Sequence, residues 1–198
     1  VRWAAQAAGM ADINDWWRAN ATAGRVSILG AYALGKAQRI LAHLDPGIGP
    51  VLTHGAVENV NAVLRSAGVA LPATRRVTPE TQLAACPGAL LLAPPSALGS
   101  SWARRFGLAE EALASGWMWL RGVRRRRGLA TGFVLSDHAD WAGLNAAFAA
   151  TGAERVFVTH GYIAAFRRWL AEQGYDAGVV ETQFHGEETG EASAEASE

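Results

Sequence analysis

At 198 residues, half of them apolar, the chain has room for one sizeable core or two small ones sharing an interface, and its apolar runs fall far short of the ~20 residues a membrane helix requires. A single cysteine, Cys86, excludes an internal disulfide and argues against a thiolate zinc site, so a reducing, cytoplasmic setting is expected. The 18 basic and 18 acidic residues balance formally, but five acids (Glu187, Glu188, Glu191, Glu195, Glu198) lie in the tail, leaving a basic body of 18 against 13 suited to phosphates.

In chain order, Ala4 to Asn20 predicts a helix with Met10, Ile13, Trp16 and Trp17 on one side. Arg25 to Leu29 predicts a buried strand, and Gly35 to His43 a helix with Ala37, Ile40, Leu41 and Leu44 inward. Val51-Leu52 leads into a helix from Ala56 to Ser66. Ala89 to Ala93 predicts a strand stopped by Pro94-Pro95, because proline cannot donate to a ladder. A basic run follows at Arg121, Arg124, Arg125, Arg126 and Arg127, either a phosphate contact or a solvated loop.

The last third is the most periodic. Phe133 to Leu135 predicts a short strand, and Trp141, Leu144 and Phe148 mark the helix after it. Arg155 to Val158 predicts another strand, followed by a helix through Ile163, Phe166 and Leu170 that ends at Gly174 in the C-cap manner. Val179 to Glu181 is a candidate closing strand. Beyond Gly186 the Glu/Ala/Ser tail has too little apolar surface to offset its ordering entropy, so disorder is expected there. Apolar runs alternating with amphipathic stretches give the α/β class.

Open α/β sheets carry function in loops at the carboxyl ends of strands. His138 stands just past Leu135 in Ser136-Asp137-His138-Ala139-Asp140, and His160 just past Val158 in Thr159-His160-Gly161. Neighbouring strands in one sheet would bring both imidazoles to one crevice; otherwise each is a hydrogen-bonded loop histidine. Asp137 and Asp140 flank His138, and either could fix its tautomer.

Leu135-Ser136-Asp137-His138-Ala139-Asp140-Trp141 resembles the Ser-x-His-Ala/Thr-Asp motif of the metallo-β-lactamase/β-CASP nucleases, and Val156-Phe157-Val158-Thr159-His160-Gly161 resembles the strand ending in His-Gly that follows it. Upstream, Gly24-Arg25-Val26 through Ala33-Leu34-Gly35-Lys36-Ala37-Gln38 is similar to that family's Ala-Leu-Gly-Arg/Lys-x-Gln segment. The Ala-Tyr-Ala-Leu-Gly-Lys, Pro94-Pro95-Ser96 and Ser-Asp-His-Ala-Asp-Trp runs resemble most the bacterial ligase-associated DNA exonucleases, relatives of mRNA 3′-end processing factors. The resemblance implies a β-CASP α/β domain over residues 1–130, the returning C-terminal part of a metallo-β-lactamase (αββα) domain over 131–186, and a disordered acidic tail over 187–198.

It also implies roles. His138, with Asp140, would serve catalysis by protonating the leaving oxygen, and His160 would be a zinc ligand in a two-zinc phosphodiesterase. Lys36, Ser136, Arg124 and Arg125 would hold substrate. DNA would be the substrate, with RNA as the alternative, and an ATP-dependent DNA ligase the partner. A histidine at the last motif is common among the family's RNA enzymes, which keeps that alternative open. The family's His-x-His-x-Asp-His signature and its remaining ligands are absent from the sequence. With Val1-Arg2-Trp3 opening the chain without a methionine, the expectation is a segment starting mid-protein and inactive alone.

Other readings compete. Gly30 to Lys36 fits the first seven positions of a phosphate loop, G-x-x-x-x-G-K, but Ala37 replaces the metal-holding hydroxyl, and Tyr32 and Leu34 are large for a phosphate cradle. A nucleotide-binding protein and a non-catalytic nucleic-acid scaffold therefore stay as alternatives. His54 in Leu52-Thr53-His54-Gly55 echoes the His160 segment and is read as a helix-start residue, and His43 as a helix-end residue. His185 is expected to be solvent-exposed. Trp16, Trp17, Trp141 and Trp169 read as core; Trp102, Trp117 and Trp119 as packing or as stacking surfaces for unpaired bases.

Overall fold

The computed structural model describes residue 3 and residues 6–82, 86–120, 122, 128, 130–159 and 161–180. Two compact units divide after Asp140. Among the described residues no helix is long and apolar enough to cross a membrane.

The first unit begins with α1 (Gln6–Thr22), β1 (Val26–Gly30), α2 (Lys36–Leu41), β2 (Val51–Thr53), α3 (Gly55–Ser66), β3 (Arg75–Arg76) and β4 (Leu90–Ala93). It continues through α4 (Ser101–Arg104), β5 (Ala109–Ala114) and β6 (Thr131–Phe133). The six strands form one sheet in the order β3-β2-β4-β1-β5-β6, every neighbouring pair parallel. A parallel sheet is covered on both faces, and the burial alternates accordingly. Leu29, Leu90, Leu92, Ala112 and Ala114 pack on one face with Ile13 and Trp17 of α1 and Ile40 and Leu41 of α2. Ile28, Leu52 and Leu91 pack on the other with Cys86 and Ala103.

Local chemistry fixes the ends of the elements. After α1, Gly24 N–H donates to Ala21 and Arg25 N–H to Asn20; after α3, Gly68 donates to Arg65 and Val69 to Leu64. Both are Schellman closures, with glycine at positive φ supplying the turn. Two buried polar pairs lie in this core: Asn20 Nδ2 donates to Ser27 Oγ at 3.0 Å, and Trp17 Nε1 to Gly88 O at 2.8 Å.

The second unit holds α5 (Trp141–Ala150), β7 (Arg155–Val158), α6 (Ile163–Glu172) and β8 (Asp176–Val179). β7 and β8 pair in parallel from Arg155↔Asp176 to Val158↔Val179, with α6 as the crossover. The α6 helix closes at Gly174 as the sequence predicts, Gly174 N–H donating to Ala171 and Tyr175 N–H to Leu170. Trp141, Phe148, Phe166, Trp169 and Tyr175 meet edge to face, with Phe166 and Trp169 stacked.

Four differences from the sequence reading stand out. β5 was not predicted, yet it lies inside the sheet between β1 and β6. β6 ends at Phe133, two residues before the predicted end, and β8 begins at Asp176, ahead of the expected Val179. β6, expected to open the second portion of the chain, is an edge strand of the first unit's sheet.

Candidate functional site

In a sheet of this order the chain leaves β1 toward β2 and leaves β5 toward β6, so outgoing connections part at the β1/β5 boundary. Loops at the carboxyl ends of strands beside such a boundary form the usual ligand crevice. Here they are the 31–35 loop after β1, the segment after β5 and the 134–140 loop after β6, which carries Ser136, Asp137, His138 and Asp140.

Two cations from α2 hold that last loop. Arg39 Nη1 donates to Ser136 O at 2.9 Å and to Asp137 Oδ1 at 3.1 Å. Lys36 Nζ lies 3.4 Å from Asp137 Oδ2 and 4.7 Å from the centre of the Tyr32 ring. Lys36, expected at the substrate backbone, is only 3% exposed. Burial pulls its pKa below the ordinary lysine value, assisted by Arg39 and opposed by the Asp137 carboxylate. Asp137 is thus occupied by Lys36 and Arg39 and is not the residue that fixes the His138 tautomer.

The His138 backbone is fixed on both sides. Its N–H donates to Ser136 Oγ at 3.2 Å, and its carbonyl accepts from Trp3 Nε1 at 3.1 Å. Trp3 N–H also donates to Asp140 Oδ2 at 3.3 Å. The imidazole itself is exposed and has no hydrogen-bond partner among the described residues. An exposed ring held by its backbone is equipped to exchange a proton with a bound molecule.

The glycine-to-lysine segment has its own geometry. Gly35 has φ 82° and ψ −70°, and Lys36 N–H donates to Leu34 O at 3.1 Å, which makes a γ-turn of the strained, positive-φ kind. Gly35 N–H is taken by Gln38 Oε1 at 2.8 Å, and Gln38 Nε2 donates to Asn61 Oδ1 at 2.8 Å. The N–H groups of Gly35 and Lys36 and the lysine side chain are therefore engaged within the protein.

His54 is the helix-start residue the sequence suggests, its Nδ1 accepting from Ala56 N–H at 3.1 Å at the start of α3. His43 stands just past α2, with Nδ1 2.8 Å from Arg39 O. His160, the basic run containing Arg124 and Arg125, and His185 lie outside the described residues. The strands that precede His138 and His160 are not neighbours: β6 pairs with β5, and β7 with β8 in a separate sheet.

Among the described residues no group of three or more His, Cys, Asp or Glu side chains is placed to hold a metal. With Asp137 bound to two cations, the loop's remaining donors do not by themselves make a zinc site. Sequence reasoning missed Arg39 and Trp3. Arg39 lies three residues after Lys36, on the same helical face, a spacing that could have flagged it; Trp3 carries no such signal.

No family model matches the chain. It is 32% identical over 155 residues to a protein of Opitutus terrae named "Probable DNA ligase", a match that covers 78% of this chain and 15% of that protein. The chain thus spans a small part of the relative's length, and most of that protein lies outside the similarity.

Proposed function

We propose that this chain is part of a metal-dependent phosphodiesterase acting on nucleic acid, of the metallo-β-lactamase/β-CASP kind, which trims DNA ends in association with a DNA ligase. In this reading the first unit belongs to the β-CASP domain and the second to the returning part of the metallo-β-lactamase domain. The observation that carries it is the Ser136–His138 loop, clamped by Lys36 and Arg39 at a parallel sheet's carboxyl edge with an exposed imidazole that has no hydrogen-bond partner among the described residues. Its relative's name supports a setting in DNA metabolism. Because 85% of that relative lies outside the match, the ligase name need not describe the matched segment.

His138, as imidazolium, donates a proton to the oxygen leaving the scissile phosphate; Trp3 and Ser136 hold its backbone for that transfer. Asp140 orients the same turn from the other side. His160 is assigned as one metal ligand, and the remaining ligands come from polypeptide outside this chain. Two zinc ions, when bound, would supply the attacking hydroxide and stabilise phosphate charge. Lys36, paired beneath Tyr32, sets the loop's position, while Arg124 and Arg125 supply positive charge for the substrate backbone.

A zinc-supplemented digestion of single-stranded DNA and RNA by the longer polypeptide tests the reading. His138→Ala should cut the rate about 10²–10⁴-fold and leave bound zinc unchanged, whereas His160→Ala should lower both. Preference for RNA would favour the processing-ribonuclease alternative. A His138→Ala rate within a factor of about three of wild type would defeat the assignment, and nick sealing by the 198-residue chain would make it a ligase segment instead.

A further inference from the structure

The sheet order puts β2 and β3 at the end opposite β6, and there two guanidiniums gather around the start of α3. Arg76, the last residue of β3, lies so close to Gly55 that a Cβ on the glycine would stand 2.9 Å from Nη2. Its hydrogen bond goes to Asn59 Oδ1 at 3.2 Å. Arg105, which caps α4, donates to Thr78 O at 3.0 Å and lies over the rings of Phe106, at 4.6 Å, and Trp102, at 5.9 Å. Trp102 meets the His54 ring edge to face at 5.0 Å.

Both arginines are exposed, and neither is ion-paired with an acidic side chain among the described residues. The carboxylate of Glu80 feels Arg105 but is itself fully solvated. A guanidinium carries five N–H donors, and one of each is committed here, so both retain donors for an oxyanion. The 12-residue α3 turns the positive end of its dipole toward the same place. Burial first, then Arg76 and Arg105, hold the His54 pKa below the ordinary histidine value.

We infer that this end of the sheet is a second contact for the sugar-phosphate backbone of a single-stranded nucleic acid, remote from His138, an inference resting on the nucleic-acid reading above. Phosphate contacts of this kind give affinity and register without reading sequence. Trp102 and Phe106, half-buried beneath Arg105, hold its guanidinium at the surface, and a flexible single strand can bring its phosphates to both cations. Four strand spacings of ~4.8 Å separate β2 from β6, roughly 19 Å along the edge. At about 3.4 Å per nucleotide of a stacked strand, about six nucleotides cover that span, so a 12-nucleotide probe reaches both places.

The test is binding of labelled (dT)12 to the 198-residue chain at several salt concentrations, with hydrolysis suppressed by chelator. Removing two single-strand phosphate contacts should lower the slope of log affinity against log salt by about 1.4. The Arg76→Gln/Arg105→Gln chain should show that loss and bind about ten-fold more weakly, with Arg168→Gln, on α6, as the control that changes neither. In the unmodified chain, (dT)12 should shift the imidazole NMR signals of His54, a readout that does not depend on how well the variant folds.

An unchanged slope in the folded double variant, or His54 signals that do not move, overturns the inference. So does competition by polyglutamate as strong as by oligonucleotide, which would point to an acidic protein partner. Binding through this surface in a polypeptide that leaves DNA uncut would sink the hydrolase reading alone; cutting with an unaltered salt slope would sink the surface alone.

Discussion

Glu58 stands in the first turn of α3 with both carboxylate oxygens in use. Oε2 accepts from Thr53 at 2.5 Å, Thr74 at 2.6 Å and Asn61 at 3.3 Å, and Oε1 from Arg65 at 2.9 Å. Burial alone would raise its pKa, but these hydrogen bonds together outweigh it and hold the group below its ordinary value of 4.5. Asn61 passes the order on through Gln38 to Gly35, so this carboxylate supports the loop that presents Lys36. The linkage has a definite sign. A depressed carboxylate contributes stability that is complete above the unfolded pKa and is lost as pH falls through the folded one. Glu58→Gln should therefore cost about 2 kcal/mol at pH 7, since donors that faced a charged acceptor now face an amide. The gap between wild type and variant should narrow below pH 4.5, seen as melting curves converging between neutral and strongly acid buffer. A gap that stays constant across that range would mean the charge of Glu58 contributes nothing.

The turn between β1 and α2 shows what an element asks of one position. An added Cβ at Gly35 meets nothing within 4 Å, so a side chain there is opposed by the backbone angles alone. Gly35→Ala should then destabilise by about 2 kcal/mol and lower the melting temperature by roughly 4–8 °C; a loss under about 0.5 kcal/mol would show that the turn relaxes without strain. Glycine in this segment was visible in the sequence, but the γ-turn was not, because the resemblance to a phosphate loop predicts an open backbone donor at Gly35, which Gln38 closes. Elements were legible where composition and period agreed, as in β4, whose Leu90–Ala93 is buried at every residue. β5 was not, because Ala109-Glu110-Glu111-Ala112-Leu113-Ala114 is made of helix formers. Pairing with β1 on one side and β6 on the other overrides that preference, and Glu110 finds Arg25 at 3.1 Å. The His138 loop was legible as a strand end followed by polar residues. Its clamp was not, since nothing in a local window links Arg39 to Ser136 and Asp137, 97 and 98 residues away.

Across the whole molecule the two units differ in how much core supports their strands. In the first, β1 and β4 lie inside a six-stranded sheet with helices on both faces. In the second, two strands share one crossover helix, and among its described residues only Val158 and Leu170 are buried, while Phe157 is 53% exposed and Trp141, Leu144 and Val179 are exposed as well. A two-stranded sheet with so little enclosed apolar surface has marginal stability of its own, and local opening follows local burial. Amide exchange in the intact chain should therefore be at least about 100-fold faster in β7 and β8 than in β1 and β4. If the second unit belongs to a larger domain, as proposed, the same β7 and β8 amides should slow toward the β1 rate in the longer polypeptide, where further chain covers Phe157 and Val179. Equal protection of both sheets in the 198-residue chain would mean that the second unit is already complete, and the assignment of its metal ligands to polypeptide elsewhere would lose its structural support.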